Sequence, residues 1–399
     1  MRAVKPPGVV RKRSSPAQST LPKSNSLRSC SAALSEDELR QRAPGGIHEL
    51  ATPLLLWFVR ARRELPWRTN PRDPYRTWLS EVMLQQTRVE VMVPYYLRFL
   101  TRFPTLESLA RAPIDDVLAR WSGLGYYARA RNLHRAAQEA LSLHGGLPDS
   151  LDALRELPGF GPYTSAAVAS LCFGIDAALV DGNVARVLAR ALGLPGDVEA
   201  AKKRSWELAP ALLPEGRAGE FNEALMELGA TICTPRAPRC GACPLSAGCV
   251  SYERGDQEET PAPKPQKARR TIVRAAIRLE RKDGQVLLAR QPAGALFEGL
   301  WDLPALDLDG ADPQRVREAA TRLSRALGAR GALVHLGRVE QTLTHREMRV
   351  EIFLARAARR DPARRDPALR WSGTSARELA RLGLSSLARK SLRMGEKDL

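Results

Sequence analysis

The chain has 399 residues, enough for two or three domains at roughly 100–200 residues each, and carries 62 basic against 44 acidic side chains for a net charge of +18. Its longest apolar stretches, residues 53–59 and 166–175, fall short of the roughly 18 residues a membrane span needs, and no apolar core near the N-terminus resembles a secretory signal. The composition predicts a soluble, non-exported protein with no membrane association and a polyanionic partner, most often nucleic acid.

Residues 1–45 are rich in Ser, Pro, Lys and Arg, and the first 35 carry 7 basic groups and no acidic one. Such a segment cannot bury enough apolar surface to offset the entropy of ordering, and it reads as a disordered basic tail. An Arg- and Ser-rich, acid-poor leader also fits an organellar transit peptide. From residue 46 to 232 apolar residues recur at helical spacing, as in Leu50, Leu54, Trp57 and Phe58, or Val117, Leu118, Trp121 and Leu124, with Pro and Gly between segments. Strand-like alternation is nearly absent, so this is an all-α domain. It is formally neutral, so any contact it makes to a polyanion must come from locally placed groups.

A cysteine loop follows at residues 233–250, and a Pro- and Glu-containing stretch at 251–270 has the composition of an extended linker. Beyond it the pattern changes. Residues 271–279 and 285–290 read as strands joined across Asp283-Gly284, residues 313–327 as a helix and residues 343–354 as a further strand. Residues 271–399 therefore form a second, α+β domain.

Chemistry-bearing residues sit at defined places on this plan. Glu81 lies amid large apolar side chains in Trp78-Leu79-Ser80-Glu81-Val82-Met83-Leu84, where burial raises a carboxyl pKa and keeps the proton on; the plainer alternative is an exposed helix glutamate. Leu157-Pro158-Gly159-Phe160-Gly161-Pro162 is a glycine-bracketed turn between two helices. Its amide groups and the following helix N-terminus make a cradle for one phosphate, although a plain helix connection has the same pattern. Asp181, in Val180-Asp181-Gly182-Asn183-Val184, stands where a helix N-cap would stand. Cys233, Cys240, Cys243 and Cys249 are spaced C-x6-C-x2-C-x5-C. Four close thiolates suit a metal centre, and such ligation serves both zinc and iron-sulfur clusters. Cys30 and Cys172 stand alone, as a spare thiol and a core residue.

Residues 80–87, Gly123-Leu124-Gly125-Tyr126-Tyr127, the 157–164 turn, residues 180–184, Phe221-Asn222-Glu223-Ala224-Leu225 and the four cysteines together resemble the MutY-type adenine DNA glycosylases of the endonuclease III superfamily, over about residues 48–250. The resemblance implies a helix-hairpin-helix domain with a [4Fe-4S] cluster on Cys233, Cys240, Cys243 and Cys249. It also implies a monomer, of bacterial nucleoid-associated type, whose partner is double-stranded DNA with A:8-oxoguanine or A:G mispairs. Adenine leaves poorly unless a ring nitrogen is protonated, so the family's chemistry needs a neutral carboxyl beside the extruded base, and Glu81 matches it. Asp181 matches the ionised carboxylate that stabilises or traps the oxocarbenium-like sugar. Asn183 and Tyr163 match positions near sugar and acids. Trp67, Arg68 and Glu223 match the adenine pocket, and Gln86 and Tyr126 match residues that enter the base stack, while Tyr127 reads as core. Gly159 and Gly161 match the phosphate-gripping hairpin. Endonuclease III-type enzymes carry a Schiff-base lysine where this chain has Tyr163, so strand cleavage should be weak or absent. Two readings stay beside this one: a bifunctional glycosylase/lyase on oxidised pyrimidines, and a non-catalytic DNA-binding or redox-sensing module.

The C-terminal part resembles a degenerate Nudix scaffold, from Gly294-x4-Gly299-Leu300-Trp301 through the helix that ends at Gly328. Arg322, Arg325 and Ala326 replace the magnesium-binding acids, which implies a recognition domain rather than a hydrolase. Thr342-Leu343-Thr344-His345 falls where the family has a Phe-Ser-His loop against 8-oxoguanine. Thr344 keeps the hydroxyl and His345 the imidazole, whereas Leu343 lacks the aromatic ring.

Overall fold

The structure is a computed structural model that describes residues 48–264, 268–310, 312–358 and 361–394. The tail read at residues 1–45, with Cys30, lies outside the described residues. The N-terminal part is helical, as its periodicity predicts. Its helices are α1 (His48–Ala61), α2 (Pro74–Leu84), α3 (Val89–Arg102), α4 (Leu106–Ala110), α5 (Ile114–Trp121), α6 (Ala128–His144), α7 (Leu151–Glu156), α8 (Pro162–Phe173), α9 (Gly182–Leu192), α10 (Val198–Leu208), α11 (Ala218–Thr231) and the short α12 (Val250–Arg254). Among the described residues no helix is long and apolar enough to cross a membrane.

Local chemistry sets the starts that matter. Asp73 caps α2 by accepting from the Arg76 amide at 3.0 Å, and Pro74 occupies the first turn, where its missing N–H costs nothing. α8 is apolar on every side, and residues 164–170 are all buried, so it forms the centre around which α2, α7 and α11 pack. Trp78 of α2 stacks on Phe160 of the α7–α8 turn with ring centroids 5.1 Å apart. The helix bearing Glu81 is thereby fixed against the hairpin turn.

The C-terminal sheet runs β3 (Trp301–Asp302), β2 (Val286–Arg290), β1 (Arg270–Glu280), β6 (Arg346–Ala357), β5 (Ala329–Thr342), with β4 (Ala305–Asp309) on β1 and β7 (Leu369–Ser372) on β2. β1 and β6 are parallel over their full length, Arg270 opposite Arg346 and Glu280 opposite Arg356, while the β1–β2 hairpin pairs antiparallel at Glu280 and Val286. α13 (Pro313–Ala326) covers one face, burying Val316, Ala319 and Ala320 against Val273, Ala275 and Ile277. The other face, with Leu300, Ile352, Leu384 and Leu387, is continuous with the apolar core of the helices. Polar ties mark that seam, among them the Tyr127 hydroxyl donating to the Leu384 carbonyl at 3.1 Å and Arg290 meeting Asp115 at 2.6 Å.

Three expectations change. Residues 251–264 are not an extended linker: α12 occupies their start, the Thr260 carbonyl accepts from buried Arg190 at 2.9 Å, and Ala262 pairs with Asp197. The donors of α9 and α10 draw this stretch onto the helices despite its prolines. The strand read at 343–354 begins at Arg346, because residues 343–345 turn between β5 and β6. β5 itself was missed, since as a sheet edge it is mostly exposed and offers no apolar alternation.

Candidate active site

Glu81 is buried, 5% exposed, in the last turns of α2. This excludes the exposed-glutamate alternative. Tyr163, in the first turn of α8, donates its hydroxyl to Glu81 Oε2 in a short hydrogen bond and lies 3.3 Å from Met226 Sδ. Burial pushes the Glu81 carboxyl up to about 7; the Tyr163 hydroxyl works against this, and the negative charges of Asp181 and Glu223 add to it. The Tyr163 phenol is itself held well above its ordinary value, by burial first and then by Glu81 and Asp181. It remains a donor.

Asp181 is the N-cap of α9, Oδ1 accepting from the Val184 amide at 2.7 Å and Oδ2 from Asn183 Nδ2 at 3.2 Å. The cap does not isolate this carboxylate, whose charge acts on both Tyr163 and Glu81. Burial raises its pKa, while the amides of Val184 and Asn183, the Arg186 guanidinium and the Asn183 side chain all hold it down. A buried and a half-buried carboxyl thus act on one another; Glu81 has the single Tyr163 donor, whereas Asp181 has the Val184 amide and the Asn183 side chain. Burial favours the proton on Glu81, and the donors around Asp181 favour its charge.

Asn183 also accepts from Arg186 Nη2 at 3.0 Å, and Arg186 donates on to the carbonyls of Gly229 and Cys233, each at 2.8 Å. This close seating needs a glycine at 229, where a Cβ would lie 2.6 Å from Asn183 Cβ. Glu223 is bound on both oxygens, by Arg68 Nε at 2.7 Å and Arg72 Nη2 at 2.5 Å, and Arg68 and Arg63 also grip Glu227. Arg68, Arg72 and Glu223 line a cleft of about 920 Å3 that Glu81 does not reach. Glu223 thus lines the cleft, and its charge also acts on Glu81. Trp67 is buried edge-on to Tyr96 at 5.5 Å and does not line the cleft.

The α7–α8 turn has the expected shape for half its stated reason. Gly159 adopts φ +80° and packs so closely on Asn132 that a Cβ would lie 2.8 Å from that side chain. Gly161 is the N-cap of α8 with ordinary extended backbone, and its missing Cβ leaves open space. Its use is approach rather than conformation.

Gln86 and Tyr126 meet at a second cavity, of about 290 Å3, together with Gln85, Arg129, Arg131 and Leu296. Tyr126 is 45% exposed, and its hydroxyl lies 2.5 Å from Thr344 Oγ1. The Thr344 hydroxyl thus reaches across to the helical part rather than to its own hairpin backbone. Thr344 and His345 are exposed and Leu343 is half-buried. Tyr127 is core, as read.

The four cysteines line one cavity with Arg190, whose Nη1 is 3.4 Å from Cys233 Sγ. Burial raises the thiols of Cys240, Cys243 and Cys249, Cys243 to about 12, and the charges of neighbouring cysteines add to the rise. As the side chains stand, no three His, Cys, Asp or Glu among the described residues are set to hold a metal ion. The donor set nevertheless fits a cationic group larger than one ion: four sulfurs around one hollow, three of them costly to ionise without it. Cys172 is half-buried and its thiol is raised to about 11, as for a core residue. Arg63, Arg72, Arg129, Arg186 and Glu227 were missed; only the four-residue helical spacing of Glu223 and Glu227 signalled any of them.

Comparison with known proteins fits this geometry. Residues 79–211 match the profile of the HhH-GPD superfamily base excision DNA repair proteins, and residues 275–394 match the NUDIX domain profile. The human adenine DNA glycosylase is 34% identical over 376 residues, 80% of this chain and 69% of that protein, and the mouse adenine DNA glycosylase 33% identical over 398 residues, 86% and 77%. A solved thermostable thymine-DNA glycosylase is 34% identical, with 52% of this chain and 97% of that one covered at a TM-score of 0.47. The chain belongs to the adenine DNA glycosylases, base excision repair enzymes of the helix-hairpin-helix superfamily, with a Nudix-like α+β domain behind the catalytic one.

Proposed function

We propose that the chain removes adenine paired with 8-oxoguanine or guanine in duplex DNA and stops at the abasic site, as a monomeric, monofunctional glycosylase. The observation that carries this reading is the Glu81–Tyr163–Asp181 group, a buried acid raised to about 7 and, acting on it, a half-buried carboxylate held by its own donors. With the adenosine extruded into it, Glu81 gives its proton to a ring nitrogen, and the N-glycosidic bond breaks with its electron pair leaving on the neutral base. Asp181 stabilises or transiently traps the cationic C1′. Water then adds at C1′, and its proton returns to Glu81. Tyr163 and Asn183 orient the two acids. Arg68 and Glu223 form the wall behind the base, with Trp67 packed beneath it.

No amine stands at position 163 to attack C1′, which supports cleavage of the base alone. The Gly159–Gly161 turn offers backbone amides and the α8 N-terminus to one phosphate. Gln86 and Tyr126 enter the base stack, while Thr344 and His345 take the lesion side, with Leu343 giving apolar contact in place of stacking. Arg322 and Arg325 are exposed where Nudix hydrolases need acids, so the second domain recognises and does not hydrolyse. Cys233, Cys240, Cys243 and Cys249 would hold a [4Fe-4S] cluster, which would tie residues 233–249 together, while Arg186 and Arg190 of α9 bind this loop through the carbonyls of Cys233 and Thr234.

The test is a panel of duplexes with adenine opposite 8-oxoguanine, guanine or cytosine, read for base release and, without alkali, for strand nicking. Release from the first two with no nicking is expected. A borohydride-trapped protein-DNA adduct formed during turnover would overturn the monofunctional reading, and equal release from all three duplexes the lesion preference.

A further inference from the structure

Among the described residues three non-glycine residues have left-handed backbone, and two of them, Gln86 at φ 60° and Tyr126 at φ 48°, face the same 290 Å3 cavity. L side chains rarely adopt this conformation without something to enforce it. One side chain touches both loops. Arg129 Nη1 donates to the carbonyls of Val82 at 2.7 Å, Met83 at 3.0 Å and Gln85 at 2.7 Å, closing the C-terminus of α2 one residue before Gln86. Its Nη2 donates to the carbonyls of Leu124 at 3.4 Å and Gly125 at 3.2 Å, immediately before Tyr126. The guanidinium also lies over the rings of Trp121 and Tyr126, 5.3 and 5.7 Å from their centroids.

This charge is expensive. Arg129 is half-buried, burial pulls it down to about 10, and its buried Nε has no hydrogen-bond partner. Among the described residues no carboxylate pairs with it; five carbonyls and two aromatic faces meet the charge instead. A half-buried cation without a counter-ion is poor value for stability alone, since apolar packing would serve better. What it gives uniquely is reach, because a planar fork can bind two loops at once and an ammonium cannot. The α2 terminus it closes is the negative end of the helix that carries Glu81 one turn earlier, so acid and wedge are set from a single helix end.

We propose that Arg129 is a positioning residue that locks the backbone of Gln86 and Tyr126 in the geometry that aims both side chains into the base stack. The inference rests on the reading of those two residues as duplex-entering. Arg129→Lys keeps the charge and loses the fork, and Arg129→Met removes both. Extrusion would be followed by the fluorescence of 2-aminopurine placed opposite 8-oxoguanine, and chemistry by single-turnover excision at saturating protein. Both variants should lose extrusion and excision on the order of 10- to 100-fold, as for a misplacement of about 1 Å. The pH of half-maximal excision should stay where it is, as should affinity for an undamaged duplex. Added to Arg129→Lys, Gln86→Ala or Tyr126→Ala should cost less than about 2-fold more, because the wedge is already lost.

Wild-type extrusion by Arg129→Lys, where Gln86→Ala and Tyr126→Ala are impaired, would overturn the proposal. Multiplying losses in the double variants, or failure of both Arg129 variants to fold, would do so too, by showing that Arg129 holds the fold rather than the wedge. If Gln86→Ala and Tyr126→Ala extrude normally by themselves, the reading beneath it has failed instead.

Discussion

Each half of the molecule buries a carboxyl that the interior pushes upward, Glu81 among the helices to about 7 and Asp302 in the sheet to about 6, with burial the first cause in both. Their company differs. Asp302 lies 3.2 Å from the Arg274 guanidinium, which also binds Asp307, and its other oxygen accepts from the Leu303 amide at 2.8 Å. The same strand repeats the pattern with Arg278, Glu280 and Arg356. Glu81 has a phenol in contact and a second carboxylate nearby, while Arg72, the cation that acts on it, is bonded to Glu223. Desolvation alone does not mark a catalytic acid. A charge with its counter-ion built in holds a sheet together, whereas a carboxyl denied a counter-ion and set beside another acid is kept able to give up a proton.

The sharpest way to break this contrast is to make the two carboxyls into amides. Glu81→Gln should lower single-turnover adenine excision about 10²- to 10⁴-fold, the range for loss of a general acid, with affinity for the mispaired duplex retained. Asp302→Asn should leave excision near wild type and cost about 1.5–3 kcal/mol of stability, as for a hydrogen bond to a charged group, read by denaturant unfolding. If Asp302→Asn abolishes chemistry while Glu81→Gln spares it, the contrast is the wrong way round.

Asp181→Asn sharpens it further. Asparagine caps helices as well as aspartate does, so the start of α9 should survive and the thermal midpoint should move little. Only the charge is lost. Excision should fall about 10²-fold, with the bond to Val184 kept; a variant that instead unfolds, or excises normally, would return Asp181 to the role of a plain cap.

The helical half was legible because one period and a few punctuating residues dictate it: the apolar faces, Pro74 and Pro162 in first turns, Gly159 at positive φ, and Asp181 before an apolar helix. The sheet was half legible. β1 and β2 carry apolar runs and an Asp-Gly turn, but the parallel pairing of β1 with β6 joins residues about 76 positions apart and leaves no local mark. The acids could be picked from the sequence by their apolar surroundings and by resemblance. The arginines that support them, Arg68 apart, could not, because Arg72, Arg129 and Arg186 act on partners far away in the sequence, and an arginine reads the same whether it faces water, a carboxylate or a carbonyl.

The smallest predicted effect concerns the shape of a curve rather than its height. Glu81 is raised from 4.5 to about 7, so its neutral form is favoured by the fold below that value and lost above it, and single-turnover excision should fall as pH rises through about 7. The Tyr163 hydroxyl opposes the rise, because it donates to the ionised carboxylate. In Tyr163→Phe that donor is gone, the neutral acid is favoured further, and the alkaline limb should move up by about one pH unit, given the ~1.5–3 kcal/mol of a hydrogen bond to a charged group. The height of the profile can also drop, since Tyr163 faces Asp181 as well. The direction of the limb separates the explanations: a downward shift would mean that the phenol accepts from a protonated Glu81 and keeps the proton there, and the direction of the Tyr163–Glu81 hydrogen bond would have to be reversed.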